Sequence, residues 1–509
     1  MKNITPSEVW AENVVKQDEI DKYLINGKDF IDENIIGNNL SNNTKPEKQR
    51  IRDILKKSLD IERLEPDETA ALLNVTDTEM WEKMYETGLQ VKRKVYDNRI
   101  VFFAPLYCAN LCVNNCQYCG FRKDNKEEKR RILNMDEIRQ ETEAVVSQGH
   151  KRMIVVYGEH PKSNIDYMCD SIKTIYNVKK KAPKGLGYGQ IRRVNINAAP
   201  MSINDLKKLQ RAGIGTYQVF QETYHKPTYK NVHPSGPKSN YQWRLYALHR
   251  AMDAGIDDIA TGALFGLYDW RFEVMGLLYH AIDLERQFGI GPHTISFPRM
   301  TPAAGSFIST NSKYLVNDSD FKKLVTVLRL SVPYIGLIIT AREQAKLKKD
   351  VIQVGCTQTD ASTKIGIGGY TEDLKKTGKM QKNEQVKNKQ QFLLGDTRKL
   401  DDVIKELSEI GMITSFCTAG YRCGRTGDKI MGLLKNCIEG KFCKLNAVLT
   451  FKEYLDDYAS EQTKKIGEEL ILKELNEIEA MDFYKKGNLL KIFKENYSKI
   501  YNGERDIYI

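Results

Sequence analysis

The chain has 509 residues, of which 41% are hydrophobic and 9% aromatic, so it has ample material for a core and is not a disordered protein. Its 78 Lys and Arg exceed its 67 Asp and Glu by 11, but the excess is spread along the whole length and does not indicate a nucleic-acid module. The sequence shows no run of eighteen apolar residues and no secretory signal pattern. We therefore expect a cytoplasmic protein without membrane or nucleic-acid partners.

Residues 1–95 form the first predicted unit, a helical segment. Pro46–Leu59 and Pro66–Leu73 carry apolar residues at spacings of three and four, which is typical of amphipathic helices. Asp67 and Glu68 fit the first turn of the second of these helices.

Residues 96–370 form the second predicted unit, in which short apolar runs alternate with segments of helical periodicity. Eight runs of this kind predict a closed (βα)8 barrel of the α/β class, with an open doubly wound sheet as the alternative. The predicted strands are Arg99–Pro105, Arg152–Gly158, Arg192–Ala198, Thr216–Gln221, Asp258–Ala263, His293–Phe297, Tyr334–Thr340 and Val351–Gly355.

The sequence after residue 370 predicts a charged linker at residues 371–390 and a mainly helical extension at residues 391–509. The linker is polar and rich in Lys. Asp401–Ile410 and Glu461–Glu477 have the composition of helices. The extension also contains a second group of cysteines, described below.

The ten cysteines carry the most information about function, because eight of them fall into two groups, near residues 115 and 430. Cys112, Cys116 and Cys119 form a C-x3-C-x2-C pattern directly after the first predicted strand. Three thiolates can hold a [4Fe–4S] cluster and leave one iron open to a substrate or cofactor. A zinc site prefers four ligands in two pairs, and no matching pair lies nearby.

This pattern, with Tyr118 before the last cysteine, resembles the radical S-adenosylmethionine (SAM) enzymes. The resemblance implies that the open iron binds SAM, whose reductive cleavage yields a 5′-deoxyadenosyl radical. Polar residues and glycines at the ends of later strands agree with a SAM site, because barrel enzymes carry their catalytic groups there. With Tyr118, the SAM-binding candidates are Glu159, Asn195, Glu222 and Gly262.

Longer stretches resemble one branch of these enzymes, the tyrosine lyases of [FeFe]-hydrogenase maturation and of thiazole synthesis. They include Phe102–Tyr107, Phe220–Tyr224 and Gly291–Arg299. The resemblance implies that the adenosyl radical takes a hydrogen from the amino group of L-tyrosine, and that the Cα–Cβ bond then breaks to give p-cresol and dehydroglycine. In the maturation branch, dehydroglycine is converted to CO and cyanide at a second cluster. Arg299 is our candidate for binding the substrate carboxylate, with a structural role as the alternative.

The second cysteine group departs from the maturation branch, whose pattern is C-x2-C-x22-C. Cys417 and Cys443 occupy the outer positions, but the middle position is Gly420. If this stretch is helical, Cys423 lies on the same face and can replace the missing ligand, with Cys437 as a possible fourth. His293, at the start of the sixth predicted strand, is the candidate ligand of an additional iron, as the resemblance implies. The alternatives are zinc on the four cysteines and a site that holds no cluster.

Three functional hypotheses remain open at this point. The first is the complete maturation-type lyase, with partners that include a ferredoxin or flavodoxin as electron donor and other maturation proteins. The second is a lyase of the same family that stops at dehydroglycine or acts on another aromatic amino acid. The third is a non-catalytic iron–sulfur scaffold.

Overall fold

A computed structural model describes residues 5–185, 187–372 and 390–509 of the chain. Most of the predicted linker, residues 373–389, lies outside the described residues. Within the described part, no helix is both long enough and apolar enough to cross a bilayer.

The centre of the molecule is a closed barrel of eight parallel strands, as the sequence predicts. Strand β1 pairs with β2 on one side and with β8 on the other, with Val101 opposite Gln358, and this second pairing closes the sheet. The barrel strands are β1 (Arg99–Ala109), β2 (Arg152–Tyr157), β3 (Arg193–Asn197), β4 (Tyr217–Gln218), β5 (Ile259–Gly262), β6 (Thr294–Ser296), β7 (Gly336–Ile339) and β8 (Gln358–Asp360). A two-stranded antiparallel hairpin, Lys180–Lys181 with Tyr188–Gly189, lies outside the barrel.

The prediction of a strand at Val351–Gly355 is wrong. Its apolar residues belong to the helix Ala345–Val354, which buries Leu347, Val351 and Val354 on one face. Their spacing of three and four residues fits a helix, and the eighth strand follows at Gln358–Asp360. Another strand, β9 (Ile413–Ser415), was not predicted and pairs with the start of β1, with Arg99 opposite Ile413.

Helices surround the barrel, and further helices precede and follow it in the chain. The N-terminal helices are Pro6–Glu12, Asp18–Asp21, Glu33–Asn42, Lys48–Leu59, Pro66–Leu73 and Thr78–Tyr96. The helices of the barrel region are Met135–Val146, Ile165–Tyr176, Ile203–Arg211, Lys226–Val232, Tyr241–Leu245, Ala247–Asp253, Trp270–Phe288, Ile308–Asn311, Asp318–Ser331 and Ala345–Val354. The C-terminal helices are Leu400–Glu409, Gly427–Lys435, Glu439–Asp457, Glu461–Ala480, Asp482–Lys485 and Leu489–Tyr501.

Local signals in the sequence set the ends of several of these helices. Asn134 and Glu137 form a capping box at the first barrel helix, where each side chain accepts a hydrogen bond from the other's backbone N–H. Asp269 caps the helix Trp270–Phe288, which ends at Gly289 with φ +77°.

The helix Glu439–Asp457 connects the C-terminal extension to the barrel. It is buried on nearly all of its faces, because it contacts β9, the helix Glu461–Ala480 and the N-terminal helix Thr78–Tyr96. Since β9 pairs with the amino-terminal end of β1, β9 and this helix lie at that end of the barrel.

Candidate active site

The first cysteine group lies in the loop that follows β1, and the end of β2 holds this loop in place. The Gly158 N–H donates to the Ala109 carbonyl at 2.9 Å, and the Val113 N–H donates to the Glu159 carbonyl at 2.9 Å. A Cβ atom at Gly158 would lie 2.2 Å from the Leu111 carbonyl oxygen, so only glycine permits this close approach.

All three cysteines of the group line one cavity of about 220 Å³ at the carboxyl-terminal ends of the strands. Cys116 is buried, whereas Cys112 and Cys119 are partly exposed. Burial raises the pKa of Cys116 to about 12, and burial together with the charge of Glu159 raises the pKa of Cys112. These thiols therefore keep their protons at neutral pH until a metal displaces them.

The cysteine loop fits an iron–sulfur cluster better than a single ion. Among the described residues, no three Cys, His, Asp or Glu side chains are grouped so that they could hold one metal ion. The ligands of a four-iron cluster bind different irons and stand further apart than the ligands of one ion. Three thiols around a cavity of this size are thus a suitable donor set for a cluster with one open iron.

Glu159 lies beside the cysteine loop with an oxygen available to a ligand. Its Oε2 accepts a hydrogen bond from Asn114 Nδ2 at 2.5 Å, while its buried Oε1 has no partner within the described residues. Burial raises the pKa of Glu159 more than the Asn114 hydrogen bond lowers it. A cationic group in the cavity would satisfy this oxygen, as expected for the SAM ammonium.

Glu222 and Tyr118, two of the predicted SAM-binding residues, also line the cavity. Glu222 has φ +71° and forms ion pairs with Lys238 at 2.7 Å and Arg244 at 3.2 Å. Burial raises the pKa of Glu222, but the two cations outweigh it and lower the pKa overall. The Tyr118 hydroxyl lies 2.8 Å from His233 Nε2. Both side chains are fixed by partners outside the cysteine loop.

Asn195 and Gly262 do not line this cavity, which corrects their assignment to the SAM site. The Asn195 side chain accepts from the Thr216 N–H at 3.0 Å, and Asn197, two residues later, lines the cavity instead. A Cβ at Gly262 would lie 2.6 Å from the Phe220 ring. Because Phe220 does line the cavity, Gly262 acts by leaving space for that ring.

Arg299 does not line the cavity either, so the structure does not support it as the substrate ligand. Its guanidinium donates to Glu343 at 2.8 Å, to the Val316 carbonyl at 2.8 Å and to Asp318 at 2.6 Å. Each of the three guanidinium nitrogens therefore already donates to an acceptor in the protein. The structural alternative is therefore the better description of this arginine.

Arg342 and Gln391 line the cavity and were not predicted. The Arg342 guanidinium lies 3.2 Å from the centre of the Phe392 ring and donates to Thr301 Oγ1 at 3.1 Å, and within the described residues no carboxylate forms an ion pair with it. Gln391 Nε2 donates to Cys119 Sγ at 3.4 Å. Arg342 follows the end of β7 by three residues, and this position at a strand end could have identified it as a candidate. Nothing in the sequence places Gln391 at the cavity.

The second cysteine group lies at the amino-terminal end of the barrel. Cys417 and Cys443 line a small cavity of about 10 Å³ together with Gly420 and Arg99. Arg193 Nη1 lies 3.9 Å from Cys417 Sγ. Burial raises the pKa of Cys417, but Arg193, Arg152 and Arg99 outweigh it and lower the pKa overall. This environment favours a thiolate at Cys417.

His293 lies at the same end of the barrel, on the residue before β6. Its Nδ1 is buried without a hydrogen-bond partner in the described part of the chain and lies 3.8 Å from Asp258 Oδ2. Burial lowers the pKa of His293, so the imidazole is neutral. Asp258 also pairs with Arg193, which connects the histidine to the surroundings of Cys417.

Cys423 and Cys437 do not line the second cavity, which corrects their assignment as ligands. The predicted helix is a single 3-10 turn, Tyr421–Cys423, and Gly424 with φ +64° reverses the chain directly after it. Arg425 therefore returns to the cavity in place of Cys423. Within the described residues, these four cysteines do not form a group that could hold one metal ion, so the structure gives no support to the four-cysteine zinc site.

Comparisons with known proteins agree with this geometry. Residues 106–275 match the radical SAM superfamily, and residues 296–413 match the biotin and thiamin synthesis associated domain. The 2-iminoacetate synthase of Salmonella typhimurium is 29% identical over 321 residues, which cover 63% of this chain and 81% of that protein.

Solved structures of an [FeFe]-hydrogenase maturase share the whole architecture. A crystal structure of HydG is 44% identical, with a TM-score of 0.87, and the match covers 95% of this chain and 100% of that one. HydG from Carboxydothermus hydrogenoformans is 33% identical, with a TM-score of 0.75, over 94% of this chain and 99% of that one. The chain is a radical SAM lyase and belongs to the HydG family of [FeFe]-hydrogenase maturases.

Proposed function

We propose that this chain cleaves the Cα–Cβ bond of L-tyrosine to p-cresol and dehydroglycine, and that dehydroglycine is converted further to CO and cyanide for hydrogenase assembly. The observation that carries the proposal is the placement of Cys112, Cys116 and Cys119 in one cavity with Glu159 and Glu222. The 44% identity to HydG and the match to a 2-iminoacetate synthase support the same chemistry.

Cys112, Cys116 and Cys119 would hold the [4Fe–4S] cluster, and the open iron would bind SAM beside Glu159. When bound, these two groups supply a 5′-deoxyadenosyl radical after one electron is added. The chain itself provides the acceptor for the SAM ammonium, because Glu159 Oε1 is buried and free of a partner within the described residues. Asn114 positions that carboxylate through its hydrogen bond at 2.5 Å.

Arg342 is the residue we propose for the tyrosine carboxylate, in place of Arg299. Its planar guanidinium can bind a carboxylate through two hydrogen bonds, and Phe392 holds it by stacking. Burial lowers the pKa of Arg342, and a bound anionic substrate would raise this pKa again. Phe103, Ile154 and Ile338 form an apolar cluster at the cavity wall that suits the aromatic ring.

The proposed reactions balance without a further oxidant. Tyrosine, SAM, two electrons and one proton give p-cresol, dehydroglycine, methionine and 5′-deoxyadenosine. Dehydroglycine has the composition of CO, cyanide and one water, so its breakdown needs no redox partner. A reduced ferredoxin or flavodoxin is the class of electron donor we propose, in the cytoplasm.

A second outcome is favoured by one observation, the glycine at position 420. A chain without a second cluster would stop at dehydroglycine, which is the product named by the 2-iminoacetate synthases. The two outcomes share the first cavity and differ only in the fate of dehydroglycine.

The test is product analysis with the anaerobically reconstituted protein, tyrosine, SAM and a reductant. We expect equal amounts of p-cresol and 5′-deoxyadenosine, and CO and cyanide in place of glyoxylate, the hydrolysis product of dehydroglycine. In D₂O the 5′-deoxyadenosine should gain one deuterium, because the amino hydrogens of tyrosine exchange with solvent. SAM cleavage without p-cresol would refute tyrosine as the substrate, and p-cresol with glyoxylate alone would establish the second outcome.

A further inference from the structure

The loop that carries the first cysteine group reaches the molecular surface outside the cavity. Asn115, between Cys112 and Cys116, is partly exposed and does not line the cavity. Its Nδ2 donates to the exposed carboxylate of Asp124 at 2.6 Å. A partner protein can therefore approach the cysteine loop from this side without entering the cavity.

Residues 121–131, which we call the basic segment, follow the last cysteine of the group and fold back against the loop. The Arg122 N–H donates to the Cys119 carbonyl at 3.2 Å, and the Lys123 N–H donates to the Asn114 carbonyl at 2.8 Å. These hydrogen bonds hold the basic segment directly beside the three cysteines.

The basic segment presents lysines whose charge the fold leaves uncompensated. Lys126 and Lys129 are exposed and Lys123 is partly exposed, and no carboxylate of the described residues forms an ion pair with any of them. The exposed carboxylates of the segment are Asp124 and Glu127. The exposed side chains therefore have an excess of positive charge.

Two arginines of the same segment add to this charge. Arg122 and Arg130 donate to carbonyl oxygens, and within the described residues neither pairs with a carboxylate. The remaining carboxyl group of the segment, Glu128, is buried, and burial raises its pKa to about 7. Glu128 is therefore only partly ionised at neutral pH and offsets little of the positive charge.

An exposed aromatic side chain lies next to the basic segment. Phe307 is 77% exposed, which is the largest value among the large apolar side chains that the structure describes, and it does not line the cavity. Its neighbour Ser306 donates to the carbonyl of Gln117, within the cysteine loop, at 2.7 Å. Arg122 Nη2 donates to the Gly305 carbonyl at 2.7 Å. Exposed aromatic residues are frequent anchors of protein–protein interfaces.

We propose that the basic segment and Phe307 form the docking surface for a small acidic electron-carrier protein of the ferredoxin type. The inference rests on the proposed function, which needs an electron for each cleavage of SAM. One electron passes from the reduced carrier to the oxidised [4Fe–4S] cluster held by the neighbouring cysteines, and no bond forms or breaks in this step. The cations attract the acidic carrier, and the net charge of +11 on the whole chain acts in the same direction.

The test compares a reduced acidic ferredoxin with saturating dithionite as reductants of the reconstituted protein, with 5′-deoxyadenosine formation as the measured rate. We expect Lys123→Glu/Lys126→Glu/Lys129→Glu to raise the KM for ferredoxin by about tenfold or more at low ionic strength. Most of this difference should disappear in about 0.5 M salt, which screens surface charges. The rate with dithionite should stay unchanged, because a small reductant needs no docking surface.

Phe307→Ser tests the apolar part of the surface. It should raise the KM for ferredoxin by about tenfold at both salt concentrations, because the contribution of the ring does not depend on charge. Equilibrium binding of oxidised ferredoxin should rank the variants in the same order, which separates docking from the chemistry that follows.

Lys486→Glu/Lys491→Glu/Lys499→Glu is the matched control for the change in net charge. These lysines are exposed and without ion pairs in the described part of the chain, and they lie in or just before the helix Leu489–Tyr501. That helix packs against the helix Glu439–Asp457, away from the cysteine loop. The control should change the KM for ferredoxin by less than about twofold.

Three results would overturn the proposal: an unchanged KM in the basic-segment variant, an equal loss of rate with dithionite, or an equal effect in the control. Dissociation of a dimer by Phe307→Ser, with the KM for ferredoxin unchanged, would instead identify this face as a contact between copies of the chain. Failure of the proposed function has a different signature, because 5′-deoxyadenosine would then form with dithionite without p-cresol from tyrosine.

Discussion

Glu159 shows how a single buried side chain can prepare a site for a cationic ligand. Its Oε1 has no partner in the described residues, and burial raises its pKa, so the carboxylate gains most when a cation approaches it. Hydrogen bonds to charged groups contribute about 1.5–3 kcal/mol, which corresponds to a change in affinity of about ten- to hundredfold.

We therefore expect Glu159→Gln to weaken SAM binding by about ten- to hundredfold while the iron content stays unchanged. Equilibrium binding of SAM to the reconstituted protein measures the change. Glu128→Gln is the matched control, because Glu128 is another buried carboxylate that accepts from Asn110 at 2.8 Å and does not line the cavity. Equal SAM affinities in the wild type and Glu159→Gln would contradict this role.

Substitutions at Arg342 and Arg299 distinguish a role in substrate binding from a role in stability. Arg342→Gln should raise the KM for tyrosine by about tenfold or more, because it removes the charged partner of the substrate carboxylate. Arg299→Gln should leave KM unchanged and lower the thermal midpoint, since it breaks the contacts to Glu343 and Asp318. The reverse pattern would restore Arg299 as the substrate ligand.

At the scale of elements, the cysteine loop depends on the close approach of two strand ends. Gly158→Ala places a methyl group 2.2 Å from the Leu111 carbonyl, so the loop must shift away from β2. We expect the first cluster to be lost or to become labile, as measured by iron content after gel filtration.

Gly432→Ala is the control for the glycine substitution. Gly432 lies inside the helix Gly427–Lys435, and a Cβ there meets no atom within 4 Å. Alanine should stabilise that helix by up to about 1 kcal/mol and leave the cluster intact. A Gly158→Ala protein with full iron content would show that the loop tolerates the shift.

The segment from Gln391 to Arg398 brings Gln391 and Phe392 to the cavity, and Asp396 attaches it to the barrel. Asp396 pairs with Lys348 at 3.2 Å and with Arg398 at 2.9 Å. Burial alone would raise the pKa of Asp396, but the hydrogen bonds from Arg398 and the charge of Lys348 outweigh it and lower the pKa to about 2. The lowered pKa means that the ionised carboxylate stabilises the folded state.

Asp396→Asn should cost about 2 kcal/mol at neutral pH, since the pKa lies about two units below its unfolded value near 4. This contribution is complete above pH 4 and is lost as the pH falls toward 2, so the difference between wild type and variant should be constant from pH 5 to 8 and narrow below pH 4. Urea midpoints across this range measure it. A difference that grows on acidification would contradict the assigned direction.

The elements show which parts of the fold the sequence could predict. Seven of the eight barrel strands lie where apolar runs predict them, because buried parallel strands have continuous apolar sequences. The prediction of a strand at Val351–Gly355 was wrong, since a short apolar run also fits one face of a helix. The strand β9 (Ile413–Ser415) was not predicted.

At the scale of the whole molecule, the two cysteine groups lie at opposite ends of one barrel. The first group follows the end of β1 at the mouth, while β9 and the helix Glu439–Asp457 bring the second group to the amino-terminal end. Sequence spacing was sufficient to bring the cysteines of the first group together, because all three belong to one short loop. It was insufficient for the second, where Cys417 and Cys443 reach one cavity only through tertiary packing.

Tertiary packing also explains why some of the predictions for active-site residues were wrong. Glu159 and Glu222 follow their strands closely, so their position in the sequence places them at the mouth. Arg299 also follows a strand, but Glu343, from the next strand–helix connection, draws it away from the cavity. Contacts between distant segments of this kind are not encoded in local pattern or spacing.

The central claim is that Cys112, Cys116 and Cys119 hold a four-iron cluster whose open iron binds SAM. Electron paramagnetic resonance of the reduced, reconstituted Cys417→Ala/Cys443→Ala protein, recorded before and after SAM is added, tests it most directly. This variant removes both thiols of the second site, so the remaining signal belongs to the first cluster. We expect a reduced [4Fe–4S] signal that changes on addition of SAM and is absent when Cys116 is also replaced by Ala. A signal that SAM leaves unaltered, or that survives the loss of Cys116, would contradict the account.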